Sequence, residues 1–235
     1  MTIVIAHRGA SARAPENSVE AFELAVGLGA DAVELDVRRT ADGRAVVNHD
    51  PDVVVDGVSR PIVSFGRSDL PGGVIDLDTA LDACRGVRVN IEIKNWREDP
   101  DHDPGCALAD EVCRIIGRRD EPVGRWFVSS FDLATVDRVR ALLPDVATAY
   151  LTAGDPDRDL DAVIASGHPL WHPWFGVVTA EHIRRAHLAG VGVNVWTCDD
   201  PEAIDRLLAA GVDGICTNVP DVALARRARS IRPAG

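Results

Sequence analysis

Short apolar runs alternate with helix-patterned stretches along the whole of the 235-residue chain, and no other feature narrows the fold so far. Strands are expected near residues 3–6, 32–37, 89–93, 126–129, 147–151, 170–172, 192–196 and 214–217. Helices are expected near 18–28, 77–84, 107–118, 134–142, 160–166, 180–189 and 201–209, with a last one from Asp221. Such alternation is the pattern of parallel α/β folds, in which each strand is carried back by a helix. Eight strands with eight helices fit one closed TIM-type (β/α)₈ barrel over residues 1–235, near the roughly 250-residue norm. A glycine-marked helix end followed by a buried strand recurs at 27–35, 188–195 and 209–215, as a repeated βα unit would. Asn17 reads as the N-cap of the first helix, with Glu20 three residues on. Residues 45–49 read as an extra strand opening an irregular stretch that runs to about residue 73.

The segment Val33-Glu34-Leu35-Asp36-Val37 carries the strongest chemical signal. Side chains alternate on a strand, so Glu34 and Asp36 share one face and the three apolar residues the other. If the apolar set packs against helices, the two acids face the barrel interior. Carboxylates are rarely buried there unless paired or holding a cation. The third barrel strand repeats the pattern, with Asn90, Glu92 and Lys94 on one face and two isoleucines on the other. Glu34, Asp36 and Glu92 can therefore converge at the C-terminal rim, where barrel active sites lie. An oxygen-only set suits one hard divalent cation, Mg²⁺ or Ca²⁺, better than zinc.

Lys94 is the single lysine among 25 basic residues. A compact point charge has been kept at the one place where a planar guanidinium could not stand in. His7 and His49 each follow an apolar run, where side chains emerge at the rim, and two such imidazoles suit acid–base work. Arg8, beside His7, offers planar donors to a phosphate.

A formal net charge of −12 with no basic face argues against a nucleic-acid partner. An anionic substrate must then be drawn in by local charge. No apolar run approaches the ~18 residues of a membrane span. The opening residues leave no room for a signal peptide, so a cytoplasmic address is expected. Five cysteines, without metal-ligand spacing, read as buried free thiols. A monomer or small homo-oligomer is expected, with a small molecule as partner.

In chain order, Ala6-His7-Arg8-Gly9, Ala14-Pro15-Glu16-Asn17-Ser18, Glu34-Leu35-Asp36-Val37, Val47-Asn48-His49-Asp50, Ile91-Glu92-Ile93-Lys94, Ser129-Ser130-Phe131 and Val195-Trp196-Thr197 resemble the glycerophosphodiester phosphodiesterase family. The resemblance implies a metal-dependent barrel that cleaves glycerophosphodiesters to sn-glycerol 3-phosphate and an alcohol. It implies His7 and His49 as the acid–base pair, and Glu34, Asp36 and Glu92 as ligands of one divalent cation. Arg8 and Lys94 become phosphate contacts and Trp196 a wall of the substrate pocket. The implied mechanism is substrate-assisted: the glycerol 2-hydroxyl attacks phosphorus, and water opens the resulting cyclic phosphate. Serine at 18 stands where threonine is common. The long acidic segment 95–105 is expected on the rim, where it can influence the headgroup accepted.

Two other readings use the same residues. A lysophospholipase D or sphingomyelinase D-like enzyme would need an apolar entrance for acyl chains, but aromatics are only 5% and no aromatic-rich loop follows the motif strands. A non-catalytic phosphate-binding barrel predicts loss of at least one of the two histidines or three acids, and all five are present.

Overall fold

In the computed structural model, which describes residues 1–230, the expected strands close on themselves. They are, in chain order, β1 (Ile3–Ala6), β2 (Ala32–Arg39), β3 (Ala45–Val47), β4 (Asp52–Val55), β5 (Val58–Pro61), β6 (Ile75–Asp76), β7 (Arg88–Ile93), β8 (Trp126–Ser130), β9 (Ala147–Thr152), β10 (Leu170–Pro173), β11 (Gly192–Val195) and β12 (Gly214–Thr217). Eight of these form the parallel barrel: β1, β2 and β7 to β12 pair in that order, and β12 returns to β1. β3 lies antiparallel on the end of β2 with Val47 opposite Val37, and β6 extends it. β4 and β5 form a separate hairpin whose turn, Asp56-Gly57, has positive φ at both residues, as tight hairpins require.

The helices are α1 (Val19–Leu28), α2 (Leu77–Ala83), α3 (Ala107–Gly117), α4 (Leu133–Leu142), α5 (Pro156–Ser166), α6 (Ala180–Leu188), α7 (Pro201–Ala210) and α8 (Pro220–Ser230). Their ends are written in local chemistry. Asp155 and Asp200 cap α5 and α7 by accepting from backbone amides, with proline in the first turn of each. The cap of α1 differs from expectation. Ser18, not Asn17, is the N-cap: its hydroxyl accepts from the Ala21 amide, three residues on. Asn17 instead sits at φ 56° and turns its side chain towards the barrel. Its amide has a buried carboxylate to satisfy, and Ser18 supplies a cap equally well.

Alternation on the strands sorts the side chains into two environments. Val33, Leu35, Val37, Ile91 and Ile93 point outward into the core shared with α1, α2 and α3. Burying a side chain such as Leu35 completely contributes about 1.5–3 kcal/mol. The opposite faces fill the barrel. Ile5, Ala32, Phe127 and Cys216 form an apolar plug inside it. Further toward the strand C-termini the same faces carry Glu34, Asp36, Asn90, Glu92 and Asn194, all buried. On β2 the two acids sit two and four residues beyond Ala32 of that plug. All five cysteines are free and buried, as expected.

Candidate active site

The β2–β7 register decides how the acids meet: Asp36 lies opposite Glu92 and Glu34 opposite Asn90. Glu34, Asp36 and Glu92 each bring one carboxylate oxygen to within 4.8 Å of the others, and all three are buried. Lys94 Nζ sits 2.6 Å from Glu92 Oε1 and 2.9 Å from Asp36 Oδ1. Arg8 Nε lies 3.2 Å from Asp36 Oδ2, and its Nη1 donates to both oxygens of Glu16. The Arg8 backbone amide donates to Glu34 Oε2 at 2.9 Å. That amide is presented by a tight turn, with Arg8 at φ 55° and Gly9 at φ 83°. A Cβ on Gly9 would stand 2.6 Å from the Ala21 carbonyl, so only glycine lets this turn seat against α1.

Three acids against two cations leave the cluster short of positive charge. Burial, then repulsion from Asp36 and Glu92, pushes the Glu34 carboxyl well above the ordinary range. Burial also raises Glu92, against the pull of Lys94. Asp36 goes the other way: burial would raise it, but Lys94 and Arg8 outweigh that and hold it at about 2. Glu34 Oε1 is buried with no hydrogen-bond partner. A buried acceptor left bare costs roughly 1–3 kcal/mol. An oxygen-only donor set with bare oxygen and a surplus of negative charge fits a hard divalent cation.

His7 and His49 open onto the same cavity, of about 400 Å³. His7 Nδ1 lies 2.7 Å from Asn218 Oδ1. The Asn218 amide nitrogen donates to Asp199 Oδ2 at 2.6 Å, so its oxygen is the atom turned to His7. Nδ1 must then carry the proton, which leaves Nε2 with a lone pair, 4.0 Å from Glu34 Oε2. Burial and the Arg8 charge lower His7 below the usual imidazole value, favouring this neutral form. His49 Nδ1 lies 2.8 Å from Asp50 Oδ1, so Nε2 is the ring nitrogen not engaged by Asp50.

Asn17, Asn218 and Asp199 were not singled out for this site by the sequence, and neither was Arg38. Asn17 Nδ2 donates to Asp36 Oδ2 at 2.9 Å. Arg38, buried at the end of β2, donates from Nε to the His49 carbonyl (2.8 Å), and from its two terminal nitrogens to Asp101 (2.8 and 3.0 Å) and Asp99 (2.9 Å). The acidic 95–105 segment is therefore tied down to the barrel wall on the rim, as its position in sequence suggested. Three aromatics wall the cavity mouth: Trp96 after β7, Phe131 after β8 and Trp196 after β11. No single loop after the motif strands is aromatic-rich, as expected, but the barrel gathers one ring from each of three loops. Trp171 is buried in the core with Nε1 donating to Thr152. Trp174 is exposed outside the cavity lining, and His172 lies deep in the barrel against Asn194, where burial pushes it down to about 3. His182 closes a capping box with Thr179 at the start of α6.

The chain's residues 7–222 match the model of the glycerophosphoryl diester phosphodiesterase family. A glycerophosphodiester phosphodiesterase of Caldanaerobacter subterraneus subsp. tengcongensis is 31% identical over 238 residues, covering 94% of this chain and 95% of that protein. A glycerophosphodiester phosphodiesterase from Thermotoga maritima superposes with a TM-score of 0.79 at 28% identity, over 96% of this chain and 98% of its own. The fold is shared as well by an Oleispira antarctica phosphodiesterase solved with the product sn-glycerol-3-phosphate, at a TM-score of 0.85 and 21% identity, over 96% of each chain. With the ordered acids and histidines on one barrel rim, these matches show that the chain belongs to the glycerophosphoryl diester phosphodiesterase family, a family of phosphoric diester hydrolases.

Proposed function

We propose that this chain hydrolyses glycerophosphodiesters to sn-glycerol 3-phosphate and an alcohol, with Glu34, Asp36 and Glu92 holding one divalent cation. The observation that carries the reading is the bare Glu34 Oε1 inside a three-carboxylate cluster, with His7 Nε2 4.0 Å from the other oxygen of the same carboxylate. The sn-glycerol-3-phosphate held by the Oleispira antarctica phosphodiesterase supports it. Bound there, Mg²⁺ or Ca²⁺ supplies Lewis-acid polarisation of a phosphoryl oxygen and a template for the glycerol hydroxyl.

The protein's own groups do the rest. His7 Nε2 takes the proton of the glycerol 2-hydroxyl as its oxygen bonds to phosphorus. The ester bond to the alcohol breaks with its electron pair on the departing oxygen, and His49, entering as the imidazolium, donates its Nε2 proton to that oxygen. Water then opens the cyclic phosphate with the two roles reversed. Arg8 and Lys94 sit where negative charge builds on the phosphoryl oxygens, and Trp196 walls the pocket beside them.

The reading is tested by release of glycerol 3-phosphate from glycerophosphocholine, with EDTA and then with Mg²⁺ or Ca²⁺ restored. Activity that vanishes with chelator and returns with one metal is expected. Turnover undiminished by EDTA would remove the cation from the mechanism. Lysophosphatidylcholine in a parallel assay, if cleaved faster, would move the reaction to a lipid diester.

Cation binding has a second readout. Glu34 is pushed above its unfolded value, so leaving it ionised costs the metal-free protein stability as pH rises. A cation at about 100 times its Kd is worth about 2.7 kcal/mol, or roughly 5–10 °C in Tm for a chain of this size. That increment should be larger at pH 8 than at pH 5, because the raised Glu34 carboxyl binds a competing proton more readily as pH falls. An unchanged Tm with both metals at both pH values would sink the site.

A further inference from the structure

Arg38 continues the inward row of β2. It follows Glu34 and Asp36 at the same spacing of two, so its side chain leaves the strand on the face that carries them. It is only 3% exposed. A buried charge is costly unless paired, and an apolar side chain of similar size would fill the space as well. What a guanidinium does that an apolar group cannot is join three segments in one plane. Nε donates to the His49 carbonyl at 2.8 Å, Nη1 to both oxygens of Asp101, and Nη2 to Asp99. Each nitrogen is thus engaged before a substrate arrives, although the residue lines the cavity.

His49 needs such a fixture. Its side chain is 37% exposed, and Nδ1 bonds to Asp50, itself 77% exposed. An exposed pair of that kind holds a ring weakly. The main chain beneath it is held more firmly. The Asn48 amide donates to the Asp36 carbonyl (3.1 Å), Asn48 Nδ2 to the Asp50 carbonyl (2.8 Å), and the Ile62 amide to the Pro51 carbonyl (2.8 Å). The carbonyl of His49 itself falls to Arg38. That bond runs from a buried side chain of β2, the strand with two of the three acids, to the residue that bears the imidazole. A proton donor must stand within about 2.6–3.2 Å of its target, and a displacement of about 1 Å can cost about 10²-fold. His7 is fixed elsewhere, by Asn218 and by its own amide on the Thr217 carbonyl.

We infer that Arg38 is a positioning residue for His49: it ties the His49 main chain to β2 and so sets where the proton for the departing alcohol stands. The inference rests on the proposed role of His49 as that proton donor.

The test compares kcat/KM for glycerophosphocholine with that for the p-nitrophenyl ester of glycerol 3-phosphate. A choline alkoxide needs a proton to leave, and a nitrophenolate does not. In Arg38→Gln the p-nitrophenyl-to-choline ratio is expected to rise by about 10–100-fold over the unmodified protein, the usual effect of removing an orienting partner. Because the ratio is taken within each variant, a lower folded fraction cancels. Arg38→Lys keeps the charge beside Asp99 and Asp101 without the planar fork. It should shift the ratio the same way, and it serves where glutamine does not fold. In His49→Asn the ratio should already be raised, and adding Arg38→Gln should raise it no further, since residues that act as a unit are not additive. An equal loss on both esters, or a further rise in the double variant, would overturn the inference. His49→Asn separates this from failure of the reading beneath it. A raised ratio there, with none in either Arg38 variant, removes Arg38 alone and leaves His49 as the acid. No rise in His49→Asn removes the acid assignment, and the positioning role with it.

Discussion

Asparagine in place of His7 is expected to lower kcat for glycerophosphodiesters by about 10²–10⁴-fold, the usual worth of a positioned proton acceptor. Asparagine can still meet Asn218, but it cannot accept a proton from a hydroxyl. The pH profile sharpens the test. A general base works when neutral, and burial together with Arg8 lowers His7 from the ordinary 6.5. The acidic limb of kcat/KM should therefore lie below pH 6.5 in the unmodified protein and disappear in His7→Asn. Asn218→Leu should act through the same nitrogen, because His7 then loses the acceptor that fixes its proton on Nδ1. A loss of about 10–100-fold is expected there, the size found when the orienting partner of a site imidazole is removed. A drop below tenfold in His7→Asn would take His7 out of proton transfer.

Asp36→Asn and Glu34→Gln should move stability in opposite directions, although both remove one buried acid from one strand. Asp36 is the partner of Lys94 and Arg8, and it accepts from Asn17. Neutralising it leaves buried cations under-compensated, at about 3–5 kcal/mol. In a chain of this size that is a Tm loss of roughly 6–20 °C. The sign with pH follows from the shift. A carboxyl held at about 2 contributes its stability above the ordinary carboxylate range and loses it as pH falls through about 2. The gap between the unmodified protein and Asp36→Asn should be full at pH 7 and should narrow toward pH 2. Glu34 is raised instead, so an uncharged glutamine relieves a penalty in the metal-free protein and can still accept from the Arg8 amide. Its metal-free Tm at pH 7 should be unchanged or higher, with the cation-induced rise abolished. Equal losses in both variants would refute the charge assignment within the cluster.

What could be read in the sequence was what repeats with a fixed period. Glu34 with Asp36, and Asn90 with Glu92 and Lys94, fall on one strand face by alternation alone. The parallel pairing of β2 with β7 then brings them together. The βα rhythm gave the barrel for the same reason. Residues that act through distant pairing stayed hidden. Arg38 sits in an Arg-Arg pair that looks like a solvated strand end, yet it is buried under two aspartates 61 and 63 residues away. Asn17 carries a helix-cap signature so strong that its real partner, 19 residues on, was invisible. The three mouth aromatics lie in three separate loops, each too sparse to notice.

The His7–Asn218 bond joins residues 211 positions apart across the β12–β1 seam. During synthesis on a ribosome, β2 and β7, which carry the three buried acids, are finished well before residue 218 exists. A nascent chain can thus display its acids long before His7 has the partner that sets its proton. On the proposed reading, competence arrives abruptly with the final strand, and a partial product that holds the three acids lacks its base.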